Sequence, residues 1–413
     1  MIEFTQSRLK NGLTVIVHED ASTEIAAFNI LYHVGSKDEQ EEKTGFAHLF
    51  EHLMFAGSAN VADFDAALQK VGGESNAFTS PDITNYYITL PAANLESAFW
   101  LESDRMLSLN INPVSLEVQR KVVVEEFKQR YLNQPYGDAW LKLRPLAYKK
   151  HHYKWATIGK DISHIENATL QDVKEFFELY YAPQNAILTV AGNVRAEEVL
   201  ALAEKWFGSI PRGKEIKRIN EPEPVQTEER RLTVKAPVPL KAIYKSYHMP
   251  ARFSPDYYAA DLLNDILGRG TSSRLYSRLV KEKRLFNSIS AYNTGSIDPG
   301  QFVISGKLND DVAFEEAEEA IDEIIQEIQN QEIDALELMK VKNQAEATLV
   351  FSEVDVLNKA MNLSFFALTG DPGKVNEEAS HIQAVEAEKV QKLAKTILNP
   401  ANCSTLYYEP IPV

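Results

Sequence analysis

Two histidines and a glutamate lie close together near the amino end of the chain, and their spacing suits a metal ion. His48 and His52 are four residues apart, with Glu51 between them, in the segment 43–55. Apolar residues recur there at helical spacing, which predicts an amphipathic helix. Residues four apart lie on one side of a helix, so both imidazoles can reach one zinc ion, which prefers nitrogen ligands at about 2 Å. Glu51 would then be available as a base toward a water molecule.

A catalytic zinc needs a third protein ligand, and a second predicted helix offers carboxylates for it. Asn112 and Pro113 are residue types typical of a helix N-cap and of the first helical position. The run from Val114 to about Leu132 then contains neither Gly nor Pro. Its carboxylates include Glu117, Glu125 and Glu126. Spacing alone does not choose between the last two, because most glutamates on such a helix are solvated.

These segments resemble the pitrilysin/insulinase family of zinc peptidases, and within it the short bacterial branch that is similar to mitochondrial processing peptidase. The family has the same H-x-x-E-H motif, followed downstream by a segment of the form E-R-x-x-V-x-x-E. The matching stretch here is 119–127, which implies Glu126 as the third zinc ligand. Gln119 stands where the family has a glutamate that supports a ligand, and a neutral amide cannot supply the same charge. Segments 11–18, 72–87 and 268–276 also resemble family segments in the same order.

The resemblance implies roles for further residues. Glu51 would be the catalytic base, and one Zn²⁺ per chain would be the cofactor. The segment that forms the active-site edge strand in the family matches Asn76, Ala77, Phe78 and Thr79 here. Such a strand would pair with the extended backbone of a peptide substrate, which gives affinity with little dependence on side chains.

One part of the family pattern differs in this chain. The family's second domain carries a segment R-E-K-x-G-L-A-Y, whose Arg and Tyr bind the substrate carbonyl. In the matching stretch 281–288, Lys281 and Ser288 stand at those two positions. Lysine lacks the planar fork of arginine, and serine is too short to reach as far as a phenol. We therefore expect a heterodimer in which a homologous subunit supplies the Arg/Tyr pair.

Composition and charge limit the class of protein. The 413 residues are 44% hydrophobic and 25% charged, which is enough for complete cores in two or more domains. The net charge of −16 argues against nucleic-acid binding, which needs basic surfaces. No run approaches 18 uninterrupted apolar residues, so we expect no membrane segment. The polar first residues and the single cysteine, Cys403, predict a cytoplasmic protein, or a periplasmic one if a signal peptide has been removed.

The chain divides into two halves around a polar stretch that contains several prolines. We predict an N-terminal catalytic zinc domain at 1–212, a linker at 213–231, and a C-terminal domain of the same fold without zinc ligands at 232–413. The family implies an α+β fold for both domains, each with a mixed, mostly antiparallel sheet backed by helices. Together the two domains would form half of a clam-shell chamber.

The sequence therefore predicts a zinc metalloendopeptidase that cleaves small or unfolded peptides in a closed chamber, as the zinc-bearing subunit of a heterodimer. One alternative is a non-catalytic peptide-binding or scaffold subunit, but such relatives usually lose the zinc residues that this chain retains. Another is a structural metal site, which would need a fourth protein ligand although no cysteine lies nearby. Peptide hydrolysis and zinc content, each measured with and without Glu51, separate these functions. The sequence leaves the peptide, the cleavage preference and the identity of the partner open.

Overall fold

A computed structural model describes residues 1–218 and 221–411, which form two sheets with helices packed on them. The strands are β1 (Thr5–Arg8), β2 (Thr14–Glu19), β3 (Ile25–Tyr32), β4 (Glu74–Thr79), β5 (Thr84–Pro91), β6 (Ala186–Gly192), β7 (Arg230–Ala236), β8 (Ala242–His248), β9 (Phe286–Asn293), β10 (Gln301–Leu308) and β11 (Cys403–Pro410). The helices are α1 (Phe46–Leu53), α2 (Phe64–Gln69), α3 (Leu95–Ser108), α4 (Pro113–Phe127), α5 (Ala139–Ala147), α6 (Ile162–Glu166), α7 (Leu170–Tyr180), α8 (Ala196–Phe207), α9 (Tyr257–Gly268), α10 (Phe314–Asn330), α11 (Ala335–Ser352), α12 (Val356–Ala367), α13 (Glu378–Gln383) and α14 (Ala387–Ile397). Across the described ranges, none of these helices combines the length and the apolar character that a membrane crossing requires.

The first compact unit contains the six-stranded sheet and comprises residues 1–128, 155–218 and 350–377. Its strand order is β1-β2-β6-β3-β5-β4, and only the β2–β6 pair is parallel. The inner strand β6 is buried at every position, in keeping with its apolar sequence. Strand β4 lies at the edge of the sheet, and its residues alternate between exposed and half-buried positions. The outer edge of β4, the predicted substrate strand, therefore has no neighbouring strand among the described residues.

The second compact unit contains the five-stranded sheet and comprises residues 129–154, 221–349 and 378–411. Its strand order is β7-β11-β8-β10-β9, and only the β7–β11 pair is parallel. Helices α9, α10 and α14 contribute to a large apolar core that also takes side chains from β8, β9 and β10. The predicted fold class is confirmed, because both sheets are mixed, mostly antiparallel and backed by helices.

The two units do not follow the predicted division at 212 and 232, because each sheet takes a helix from the other half of the chain. Helix α12 packs on β3 and β6 in the first unit, where the Ser364 hydroxyl accepts from Asn29 Nδ2 at 2.9 Å and donates to Thr189 Oγ1 at 2.8 Å. Helix α5 packs in the second unit, where Leu143 joins a core cluster with Leu406. No local periodicity in the sequence specifies which sheet such a helix covers.

The predicted linker also differs in extent from the structure. Strand β7 begins at Arg230, so the last two residues of the predicted linker 213–231 belong to the second sheet. Residues 219–220 of the predicted linker lie outside the described residues.

Candidate metal centre

Helix α1 is short, and its apolar residues are buried. It carries His48, Glu51 and His52. The helix begins after Gly45, whose backbone is left-handed, with φ at +88°. A side chain at this position would also come within 2.7 Å of the Ile158 carbonyl oxygen. Both the backbone angle and the available space therefore require glycine. The centroids of the two imidazole rings lie 4.9 Å apart, so the helix presents both rings to one place.

Helix α4 begins where the sequence predicts. The Asn112 side chain accepts hydrogen bonds from the backbone N–H groups of Val114 and Ser115, at 2.8 and 3.0 Å. Pro113 occupies the first helical position, where its missing N–H costs no hydrogen bond. This cap fixes the start of the helix that ends near the two histidines.

The last turn of α4 brings Glu126 to the histidines. Its Oε2 lies 3.7 Å from His48 Nε2 and 3.3 Å from His52 Nε2. Glu125 is instead exposed and accepts a hydrogen bond from Lys128 Nζ at 2.8 Å. Within the described part of the chain, His48, His52 and Glu126 form the only group of three or more His, Cys, Asp or Glu side chains that are close enough to share a metal ion.

The chemistry of these three donors fits zinc. Two imidazole nitrogens and one carboxylate oxygen form the usual set of a catalytic zinc site, which keeps its fourth position open. Ligand atoms about 2 Å from a tetrahedral ion lie roughly 3.3 Å from one another, and the Glu126 oxygen lies 3.3 and 3.7 Å from the two nitrogens. The single cysteine, Cys403, is buried in β11 of the second unit and is not part of this group.

The predicted base and the predicted substrate strand meet at Thr79. The hydroxyl of Thr79, the last residue of β4, donates to Glu51 Oε2 at 2.5 Å. Earlier in β4, the Ala77 N–H donates to Asn76 Oδ1 at 2.8 Å, and Phe78 is 40% exposed. Among the described strands, β4 pairs only with β5, so its outer edge is available for an extended peptide. The edge strand and the base are thus in direct contact.

Glu39 supports helix α1, and this role was not predicted from the sequence. Its buried carboxylate accepts hydrogen bonds from the backbone N–H groups of Gly45 and Ala47, both at 2.9 Å, at the start of α1. A carboxylate at this end also complements the helix dipole. Burial raises the pKa of the Glu39 carboxyl well above its ordinary value, and the two N–H donors oppose that rise. Glu39 lies outside the helix that it caps, so helical periodicity gave no signal for it.

Arg105 and Glu102 form a buried ion pair near the other end of α1. Arg105 Nε and Nη2 donate to the two oxygens of Glu102, at 2.8 and 2.5 Å. The guanidinium carbon lies 4.6 Å from the ring centroids of both Phe64 and Tyr86. The Tyr86 hydroxyl donates to the Phe50 carbonyl oxygen within α1 at 3.3 Å. This group therefore supports α1 from within the core, and sequence reasoning missed it too.

Three further residues that the sequence analysis singled out are not among the three possible metal ligands. Gln119 is half-buried on α4, seven residues before Glu126, and its supporting role remains a prediction. In the second unit, Lys281 lies in the π-helical segment Tyr276–Glu282 and donates to the Thr271 carbonyl oxygen at 3.3 Å. Ser288 is exposed on β9. Neither Lys281 nor Ser288 presents a guanidinium or a phenol.

The chain is similar to known proteins over almost its whole length. A family model described as insulinase (peptidase family M16) matches residues 14–154, and one described as the peptidase M16 inactive domain matches residues 167–345. The zinc protease PqqE of Helicobacter pylori is 32% identical over 97% of this chain and 92% of its own length. The beta subunit of the mitochondrial-processing peptidase of Saccharomyces cerevisiae is 25% identical over 84% of this chain and 78% of its own length.

A solved protease structure has the same fold as this chain. The crystal structure of a protease from Helicobacter pylori superimposes with a TM-score of 0.94 at 31% identity, covering 99% of this chain and 100% of that one. The fold and these similarities relate the chain to zinc peptidases. The chain belongs to the pitrilysin/insulinase (M16) family of peptidases.

Proposed function

We propose that this chain is a zinc endopeptidase that cleaves small or unfolded peptides in a closed chamber, as the zinc-bearing subunit of a heterodimer. The observation that carries the proposal is the meeting of His48, His52 and Glu126 at one point, with Glu51 on the same helix and in contact with an edge strand. Relatives that are named zinc proteases support the same chemistry.

His48, His52 and Glu126 would hold one Zn²⁺ per chain. When bound, the ion supplies a Lewis acid that lowers the pKa of a water molecule and polarises a carbonyl group. The chain's own contribution is to hold three donors in fixed positions, two on α1 and one on α4. Such rigid donors reduce the reorganisation that the reaction requires.

Glu51 would act as the general base and then as the general acid. Its carboxylate takes a proton from the attacking water and gives that proton to the amine that leaves. The backbone of Asn76, Ala77, Phe78 and Thr79 would hold the peptide in an extended conformation at the outer edge of β4. Because this binding uses backbone groups, many peptide sequences would be accepted.

The proposal of a partner subunit rests on two positions in the second unit. Lys281 and Ser288 stand in place of the family's Arg and Tyr, and one missing donor to the developing oxyanion typically costs about 10²–10³ in rate. A homologous subunit that retains the Arg/Tyr pair would supply both donors. The similarity to a relative named as a beta subunit supports an assembly of this kind.

A non-catalytic peptide-binding or scaffold subunit is the second candidate. The match of residues 167–345 to a domain described as inactive favours it for that part of the chain. The chain keeps the two histidines and the glutamate of the H-x-x-E-H motif and also the distal Glu126. These four residues favour catalysis, because peptide binding alone does not need them.

Zinc content and peptide hydrolysis test the proposal. The purified chain, with and without its homologous partner, is assayed on internally quenched peptides, and its zinc is measured by mass spectrometry. Glu51→Gln should keep zinc and lose hydrolysis by several orders of magnitude, and Glu125→Gln is the matched control. Stoichiometric zinc without hydrolysis under any of these conditions would favour the non-catalytic subunit. Hydrolysis that survives Glu51→Gln would remove Glu51 from the mechanism.

A further inference from the structure

The contact between Thr79 and Glu51 points to a second role for the edge strand. We infer that the Thr79 hydroxyl is a positioning group that holds the Glu51 carboxylate in place for proton transfer. The inference rests on the proposed function and adds to it a residue whose side chain acts on the base rather than on the peptide. The hydroxyl donates to Glu51 Oε2 at 2.5 Å, and both residues are half-buried.

A glutamate base needs such a constraint because its side chain is long. Three torsions separate its carboxylate from the backbone, and each has alternative rotamers. A hydroxyl that donates to a carboxylate forms a short, charge-assisted hydrogen bond, which is stronger than a bond between neutral groups. Since a carboxylate has acceptor capacity at both of its oxygens, a bond at Oε2 is compatible with a water molecule that approaches Glu51.

The backbone around Thr79 is itself fixed by a tight turn. Thr79 pairs with Thr84 at the closed end of the β4–β5 hairpin. In the turn between them, the Ser80 N–H donates to the Ile83 carbonyl oxygen at 2.8 Å. The Ser80 Oγ accepts from the N–H groups of Asp82 and Ile83, at 3.1 and 3.0 Å. Thr79 is therefore the end of a rigid hairpin and not part of a mobile loop.

The short segment 35–39 contacts both the β4–β5 hairpin and helix α1, which carries Glu51. The backbone N–H of Lys37 donates to the Pro81 carbonyl oxygen at 3.0 Å, and Lys37 Nζ lies 2.7 Å from Asp82 Oδ1. Two residues later, Glu39 caps the start of α1. Donor and acceptor are thus both fixed relative to the segment 35–39. Their separation is set by the fold, as expected of a positioning contact.

The side chain and the backbone of Thr79 can be tested separately. Pairing with a peptide uses backbone groups at the edge of β4, and a β-branched substitution preserves that backbone. Removal of the hydroxyl alone should therefore change the chemical step and not substrate binding. If the hydroxyl contacted the peptide instead, its removal would raise KM.

The test compares Thr79→Val with Thr79→Ser, and uses Thr89→Val on the neighbouring strand β5 as the matched control. Steady-state kcat and KM are measured on internally quenched peptides with the partner subunit present, together with zinc content. We expect Thr79→Val to lower kcat by about 10–100-fold, the size of effect that a misplaced catalytic group produces. KM and zinc content should stay within about twofold of the parent. Thr79→Ser should recover most of kcat, and Thr89→Val should behave like the parent.

Crystal structures of the zinc-loaded parent and Thr79→Val provide a readout that does not depend on turnover. The inference predicts one ordered Glu51 conformer, bonded to Thr79, in the parent and several conformers in the variant. An identical single Glu51 conformer in both proteins would overturn it, as would an unchanged kcat or a loss confined to KM. A parent that hydrolyses no peptide would contradict the proposed function alone, because the Glu51 conformers would still decide the positioning role.

Discussion

Replacing Arg105 with methionine should destabilise the first unit by about 3–5 kcal/mol, because the change leaves a buried carboxylate without its partner. Arg105 is 2% exposed, Glu102 is 0% exposed, and two hydrogen bonds of 2.8 and 2.5 Å join them. Methionine has a similar length and can still pack against the rings of Phe64 and Tyr86. The substitution therefore removes the charge with little change in volume.

The magnitude follows from these contacts. Removing one member of a buried ion pair typically costs about 3–5 kcal/mol. The two close aromatic rings add a cation–π contribution of up to about 2 kcal/mol at a desolvated site, part of which the methionine sulfur recovers. For a unit of this size, about 1 kcal/mol corresponds to roughly 2–4 °C, so we expect the melting temperature to fall by about 6–20 °C.

The loss should depend on pH. Burial raises the pKa of Glu102 in the folded protein, and Arg105 opposes that rise, so the pKa is higher still without Arg105. A carboxyl whose pKa is higher folded than unfolded makes its stabilising contribution at low pH and loses it as pH rises through the folded pKa. The cost of Arg105→Met should thus be smallest in mild acid and largest at neutral and alkaline pH.

Thermal unfolding followed by circular dichroism at several pH values measures these effects. The double variant Arg105→Met/Glu102→Leu should recover most of the loss, because no buried charge is left without a partner. Lys205→Met, which removes an exposed pair with Glu96, should leave the melting temperature unchanged. A loss of the same size at every pH, or a double variant as unstable as the single one, would show that the unpaired Glu102 charge is not the cause of the instability.

Three further predictions concern the metal centre and the partner. Glu126→Gln should weaken zinc binding far more than Glu125→Gln, as measured by competition with a chelator, and the reverse order would contradict the ligand set proposed here. Gln119→Glu should strengthen zinc binding by up to about tenfold if this position supports a ligand, as an outer carboxylate commonly does, and unchanged affinity would argue against that role. The lone chain should hydrolyse peptides poorly and gain at least about 10²–10³ in rate, the effect of one donor, with a homologous subunit that carries the Arg/Tyr pair, so full turnover without the partner would rule out a split site.

The sequence was most informative where chemistry depends on local spacing. His48 and His52 are four residues apart, and a helix alone brings them to one side. The N-cap of α4 at Asn112 also followed from residue types. The choice of Glu126 over Glu125 needed the family resemblance, because it depends on how α4 is rotated against α1. That rotation is set by tertiary packing, which no spacing within α4 reports.

Contacts between distant segments were beyond the sequence. The Thr79 hydroxyl reaches Glu51 across 28 positions, and Glu39 caps a helix that begins several residues after it. The placement of α5 and α12 is the largest difference between the predicted and the observed domains. The amphipathic pattern of a helix predicts that one face is buried, but it does not indicate which sheet covers that face.

The exchange of α5 and α12 has a consequence for how the chain is made. Helix α12 follows β6 by more than 160 positions, yet Ala360 packs against Ala27 and Ala191 of the first sheet. At roughly 5–20 residues per second, the ribosome needs on the order of 10–30 s to synthesise the intervening chain. Throughout that interval the nascent sheet exposes an apolar surface that only a later segment can cover. Synthesis of this protein therefore includes a period in which all six strands of the first sheet exist without the helix that covers them, so an apolar surface is open to aggregation or to a chaperone, and a fragment that stops before α12 would lack that cover.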